Sequence, residues 1–131
     1  MVVDVERVGD YTKNILDLAL NHPNTIRSED FSEDLHHVEN EVIERFRKTL
    51  EAIHTQDADV ARSLMKTYKE TLTDVSDTIV NGCISGEIRL GDECQTVALA
   101  LYARYLKRIG AHLKNITTVL VNPFDAVGYK Q

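Results

Sequence analysis

From Glu93 to Val121 the chain reads E-C-Q-T-V-A-L-A-L-Y-A-R-Y-L-K-R-I-G-A-H-L-K-N-I-T-T-V-L-V. The stretch holds no Pro, and Ala98, Tyr102, Tyr105, Ile109, His112, Ile116 and Leu120 recur near every 3.6 positions. That period marks one face of an α-helix, and Asn122-Pro123 is its stop. At 1.5 Å per residue such a helix is over about 40 Å long.

Three more segments repeat the pattern. The first, about Val2 to Asn21, has the seam Val5, Val8, Thr12, Ile15 and Leu18, stopped by His22-Pro23-Asn24. The second, about Phe31 to His54, has the seam Leu35, Val38, Val42, Phe46, Leu50 and Ile53, with Asp30 and Glu33 at capping-box spacing. The third, about Ala58 to Asn81, has the seam Val60, Leu64, Tyr68, Leu72, Val75 and Ile79. Asp57 is its N-cap and Asn81-Gly82 its stop. Long helices joined by short loops predict an all-α, antiparallel bundle of four long helices, forming a single domain over 131 residues.

Composition narrows the function. With 21 acidic residues against 15 Lys and Arg, the net charge is -6, which excludes nucleic acid as the main partner because phosphate binding needs a basic face. No run approaches 18 apolar residues, the length of a membrane span. Cys83 and Cys94 lack C-x-x-C spacing and fit a reducing, cytoplasmic setting. Charge is also segregated. Seven acids and no base lie between Glu29 and Glu44, and four bases (Arg104, Lys107, Arg108, Lys114) and no acid between Cys94 and Phe124. Such faces are solvated or steer a partner.

The chain repeats itself. Glu6 to Ile15 reads E-R-V-G-D-Y-T-K-N-I, and Lys107 to Ile116 reads K-R-I-G-A-H-L-K-N-I, at a constant offset of 101 residues. Gly inside a helix costs up to about 1 kcal/mol relative to Ala, so Gly9 and Gly110 are expected where helices approach closely. Asn14 and Asn115 can bridge to a neighbouring helix through their amides. Glu6 and Asp10, four apart, share one helix face and form a candidate divalent or iron-type metal site once other ligands join them. The second copy has Lys107 and Ala111 in their places.

These motifs resemble the PhoU family of phosphate-uptake regulators: Val5 to Ile15 is similar to the first copy of its helix motif and Ala103 to His112 to the second. The resemblance implies a remnant last helix of one three-helix repeat (1–22), a complete second repeat (29–121) and a C-terminal tail (122–131). It implies a non-enzymatic cytoplasmic regulator of phosphate uptake and signalling. Its partners would be the ATPase of a phosphate transporter and a sensor kinase, with membrane association only through the transporter. Metal is held in that family by acids of the middle and last helices. The register here puts Lys69 and Thr73 opposite Lys107 and Ala111, although Glu70, Asp74 and Asp77 lie close by. In that register the second metal site is erased, and the first keeps only Glu6 and Asp10. Two other readings remain: a metal-binding helical bundle with redox or storage activity, and a detached cytoplasmic domain of a sodium/phosphate carrier. Met1-Val2-Val3-Asp4 enters helical periodicity at once, which suggests either a chain cut from a longer fold or a first helix completed by a partner, with a homodimer as the expectation.

Other constellations are weaker. The E-x-x-H pairs Glu33/His36 and Glu51/His54 match di-iron spacing, but they lie 18 residues apart on one helix, roughly 27 Å. His112 sits on the seam as a hydrogen-bonded His rather than a ligand. Gly82-Cys83-Ile84-Ser85-Gly86 is read as a loop short of the phosphate-cradling pattern. No Ser/His/Asp or Cys/His arrangement marks a nucleophile.

Overall fold

The computed structural model describes residues 2–22 and 32–121. It consists of α1 (Val2–Asn21), α2 (Ser32–Thr55), α3 (Ala58–Tyr68), a π-helical turn (Lys69–Thr73), α4 (Asp74–Ser85) and α5 (Glu93–Val121), with no strand among the described residues. The α3, π and α4 pieces run on as one rod, so the chain forms four rods, as the periodicity predicts. The capping-box residue Asp30 and the stop at Asn122-Pro123 lie outside the described residues.

The direction of each rod follows from its side-chain contacts. His37 and Arg45 of α2 meet Thr71 and Leu64 respectively, so α2 is antiparallel to the α3–α4 rod. Ser76 donates to the Ala103 carbonyl at 2.7 Å, and Tyr68 lies beside Lys114, so that rod is antiparallel to α5. Asp4 reaches His112 and Tyr11 packs against Tyr105, so α1 is antiparallel to α5 as well. Among the described residues α1 packs against α5 alone. The fold is therefore a three-rod bundle with a fourth helix laid on the outside of α5.

On α2 the buried positions are Leu35, Val38, Val42, Arg45, Thr49 and Ala52, spaced alternately by three and four. Phe46 and Leu50, expected on the seam, are 42% and 46% exposed. Steps of four advance 40° beyond a full turn, so Val38-Val42-Phe46-Leu50 walks off the core while the 3-4 pattern stays on it. On α1 the face toward α5 runs through Asp4, Val8, Tyr11, Ile15 and Leu18, and Val5 and Thr12, expected on the seam, are exposed.

On α5 the buried stripe is Leu99, Ala103, Leu106, Gly110, Leu113 and Thr117, with Ile109 and Ile116 beside it. Tyr102, Tyr105 and His112 from the expected seam are half-buried on a second face. A helix covered by neighbours on several sides cannot be described by one stripe.

The ends of the third rod obey local chemistry. Asp57 caps α3 as expected, its Oδ1 accepting from Asp59 N at 2.9 Å and Val60 N at 3.3 Å. The stop is Gly86 rather than Asn81-Gly82: Gly86 takes φ 85°, a left-handed conformation that costs Gly little. Gly82 to Ser85 are thus helical and not a loop. Gly82 is buried because Ile88 folds back over it, its N–H donating to the Gly82 carbonyl at 3.0 Å.

Candidate functional site

The two copies of the repeated motif lie side by side, one on α1 and one on α5. Asp4 Oδ1 accepts from His112 Nδ1 at 2.9 Å and from Asn115 Nδ2 at 3.1 Å. Burial raises the Asp4 pKa, but the hydrogen bonds from His112 and Asn115 outweigh it and hold the carboxyl below its ordinary value. Tyr11 stacks on His112 with centroids 6.0 Å apart and packs against Tyr105 at 6.1 Å, and the Arg108 guanidinium lies 5.9 Å from the Tyr11 centroid. His112 is hydrogen-bonded and largely buried, as its seam position predicts. Asn115 bridges to the neighbouring helix, as its amide allows.

This contact is close to two-fold symmetric within one chain. Shifted by the repeat offset, Asp4–His112 becomes Tyr105–Tyr11, and both pairs are in contact. Tyr11 and His112 are each other's equivalents and stack together. The motif meets itself, antiparallel.

The glycines of the motif part company. A Cβ built on Gly110 runs into Leu72 Cδ2, with Tyr68 Cε2 at 3.4 Å. Gly9 has nothing within 4 Å of an added Cβ. The expectation of close packing holds for Gly110 and fails for Gly9, because no rod crosses that side of α1.

Glu6 and Asp10 point away from α5 and are exposed, with Arg7 Nη1 4.0 Å from Asp10 Oδ2. Among the described residues no group of three or more His, Cys, Asp or Glu is placed to hold a metal ion. Two carboxylates are an incomplete set for ions that take four to eight ligands. In the second copy, Lys107 Nζ donates to Asp77 Oδ1 at 2.6 Å. The antiparallel register thus sets Asp77, not Lys69, against Lys107, and Lys69 is exposed. An ammonium neutralises the acid at that place. The E-x-x-H pairs do not assemble: Glu33, Glu51 and His54 are exposed, His36 lies 3.3 Å from Glu39, and His37 Nε2 donates to the Thr71 carbonyl at 3.0 Å.

One polar centre escapes the sequence reading. Arg45 is 4% exposed in the interface of α2 with the third rod. Its guanidinium donates to the Leu64 carbonyl (2.7 Å), Thr67 Oγ1 (2.9 Å) and Thr71 Oγ1 (2.8 Å), and Nε lies 3.3 Å from Glu41. Burial lowers its pKa and Glu41 partly restores it. Thr71 belongs to the π turn, an element common at functional sites. Arg45 also lies 5.7 Å from the centroid of Tyr68, the ring that packs on Gly110. The signal available in the sequence is the 3-4 spacing of Val38, Val42, Arg45 and Thr49, which puts Arg45 at a core position.

The family comparison bears on this geometry directly: the PhoU domain model matches residues 35–120, well over half the chain. This chain belongs to the PhoU domain family. The match covers α2, the third rod and nearly all of α5, so the PhoU domain proper is the three-rod bundle. The α1 helix lies outside the matched residues. No curated protein and no solved structure matches the chain. Among the described residues no helix is long and apolar enough to cross a membrane.

Proposed function

We propose that this PhoU-domain protein is a non-enzymatic regulator of phosphate uptake and signalling in the cytoplasm. In this reading it is an adaptor between the ATPase of a phosphate transporter and a sensor kinase. The observation that carries the reading is the family match over the whole three-rod bundle. A surface suited to binding supports it. Ile43, Phe46 and Leu50 on α2 are 66%, 42% and 46% exposed, and they stand three and four residues apart on one side of the helix. Arg47 and Lys48, which pair with Glu44, are exposed on the same helix. Apolar contact bordered by charged groups gives a partner both affinity and orientation. A cation at Glu6 and Asp10 enters this reading only if a second protein chain supplies further ligands.

The test is direct binding of the purified chain to the purified ATPase subunit and sensor kinase, by calorimetry, with a phosphate-starvation reporter in cells lacking the protein. The expected result is micromolar or tighter binding to at least one of them and a reporter that stays on in phosphate-rich medium. No binding to either, with normal repression, would exclude the adaptor role.

A further inference from the structure

The third rod changes its winding half-way along. At the π turn the Asp74 N–H donates to the Lys69 carbonyl, five residues back. Such a turn is one extra residue wedged into an α-helix, so α4 starts about 100° away from the direction a continuous helix would give it. The burial pattern shows the consequence. Counted from Leu64 along a regular helix, Val75 lies about 20° off the inner face and Ser76 about 120° off it. In the structure Ser76 is 0% exposed and donates to the Ala103 carbonyl at 2.7 Å, while Val75 is only partly buried. Discounting one residue for the turn brings Ser76 to about 20° from Leu64. The chain therefore carries two inner faces for α4. One is the apolar Val75 face that the sequence period picks out, and the other is the Ser76 face that the turn selects.

Side chains of α2 hold the turn. His37 Nε2 donates to the Thr71 carbonyl at 3.0 Å, and Arg45 donates to Thr71 Oγ1, to Thr67 Oγ1 and to the Leu64 carbonyl. Inside the turn Thr73 Oγ1 is buried with no partner among the described residues. A buried hydroxyl without a partner is costly, and in a regular helix it can reach the carbonyl four residues back. Beyond the turn, Ser76 on Ala103 and Asp77 on Lys107 fix α4 to α5 in the selected phase.

We propose that the π turn is a register switch and that α2 is the arm that sets it. With His37 and Arg45 seated on Thr71, α4 presents Ser76 and Asp77 to α5. With α2 displaced, the turn relaxes into regular helix and α4 rotates by about 100°. Val75 then replaces Ser76 inside, and Asp77 parts from Lys107. Two packings of one sequence close in free energy are what a switch of this kind requires. Phe46, next to Arg45, is 42% exposed on the outer face of α2, so a force on that face reaches the turn through a single helix. Both states belong to this chain alone and the test uses no partner, so the inference stands or falls separately from the adaptor reading.

The experiment is thiol labelling with a disulfide reagent in the full chain carrying Cys83→Ala and Cys94→Ala, which remove its own thiols. Ser76→Cys and Val75→Cys are the two probes. With the turn held, the thiol at position 76 should be protected. His37→Phe/Thr71→Val loosens the grip of α2 and keeps the Arg45 bond to Leu64. It should speed labelling at position 76 about tenfold, with no rise at position 75 and helical circular dichroism unchanged. Deletion of Thr73 takes out the extra residue and leaves α4 in the Ser76 phase without any grip. Added to the loosened variant, it should restore protection at position 76. Added to the native grip, it should leave that protection intact. Labelling that rises at both positions, or at neither, overturns the proposal. So does a deletion that exposes position 76 or fails to rescue it.

Discussion

Gly9 and Gly110 occupy one position of one motif, yet one faces open space and the other carries the weight of Leu72 and Tyr68. Around them the contrast is the same. Leu106 is 5% exposed and its counterpart Val5 is 54% exposed. The local residues differ little, so the motif does not set its own burial. Burial follows from which rods close on a helix: α5 is surrounded by α2, the third rod and α1, whereas among the described residues α1 touches α5 alone. The motif supplies a helix with one face able to meet its own copy and another able to accept a core. Only α5 has the second face filled.

The contrast can be broken first at the rod that covers Gly110. Arg45→Ala removes the donors that hold Leu64, Thr67 and Thr71, leaving buried acceptors unmatched and a void beside Tyr68. A loss of about 2–4 kcal/mol is expected in urea denaturation, from unsatisfied polar groups and lost packing together. Arg45→Met, which keeps the apolar stem, should recover part of it.

The next effect is at the glycines themselves. Gly110→Leu should cost about 1–3 kcal/mol through overpacking against Leu72 and Tyr68, while Gly9→Leu, which meets open space and gains helix propensity, should leave thermal stability of the single chain undiminished or slightly raised. Equal costs at both positions would show that α1 is covered in solution.

Asp4→Ala tests the covered side of α1. It removes the acceptor shared by His112 and Asn115, worth about 1–2 kcal/mol of helix docking for two hydrogen bonds to a charged group. The loss should appear as faster amide exchange in α1 with little change in α5. Because the Asp4 pKa is lowered on folding, its contribution is complete above the ordinary aspartate value of 3.8 and lost as the pH falls below it. In Asp4→Asn, α1 exchange should lack that acid-induced rise.

A smaller and opposite effect is expected from Gly9→Ala, where the added methyl meets nothing and helix propensity improves by up to about 1 kcal/mol. The melting temperature should rise. The smallest effect belongs to Glu6→Ala/Asp10→Ala under conditions where the chain is monomeric. No shift in melting temperature is expected, with or without Mn(II), and no Mn(II) should be retained after dialysis by either protein. Metal retained by the native chain and lost in the double variant would show that Glu6 and Asp10 do hold a cation.

What the sequence determined by itself is local. The 3.6 periodicity places all four rods, Asp57 caps α3, and the repeated motif identifies two related helices and the family. These features depend on residues within a turn or two of one another, where helix geometry fixes the relation between spacing and direction. What it left undecided is which of several apolar stripes becomes core. Phe46 and Leu50 outrank Arg45 and Thr49 in hydrophobicity, yet the latter pair is buried, because the Arg45 guanidinium finds a carbonyl and two hydroxyls on the facing rod and those partners lie 19 to 26 residues away. The opposition of Lys107 to Asp77, the π turn that admits Thr71 to the Arg45 site, and the different fates of Gly9 and Gly110 are all of this kind. Each depends on the register between helices, which is set by the packing of whole surfaces and not by the spacing along any one of them.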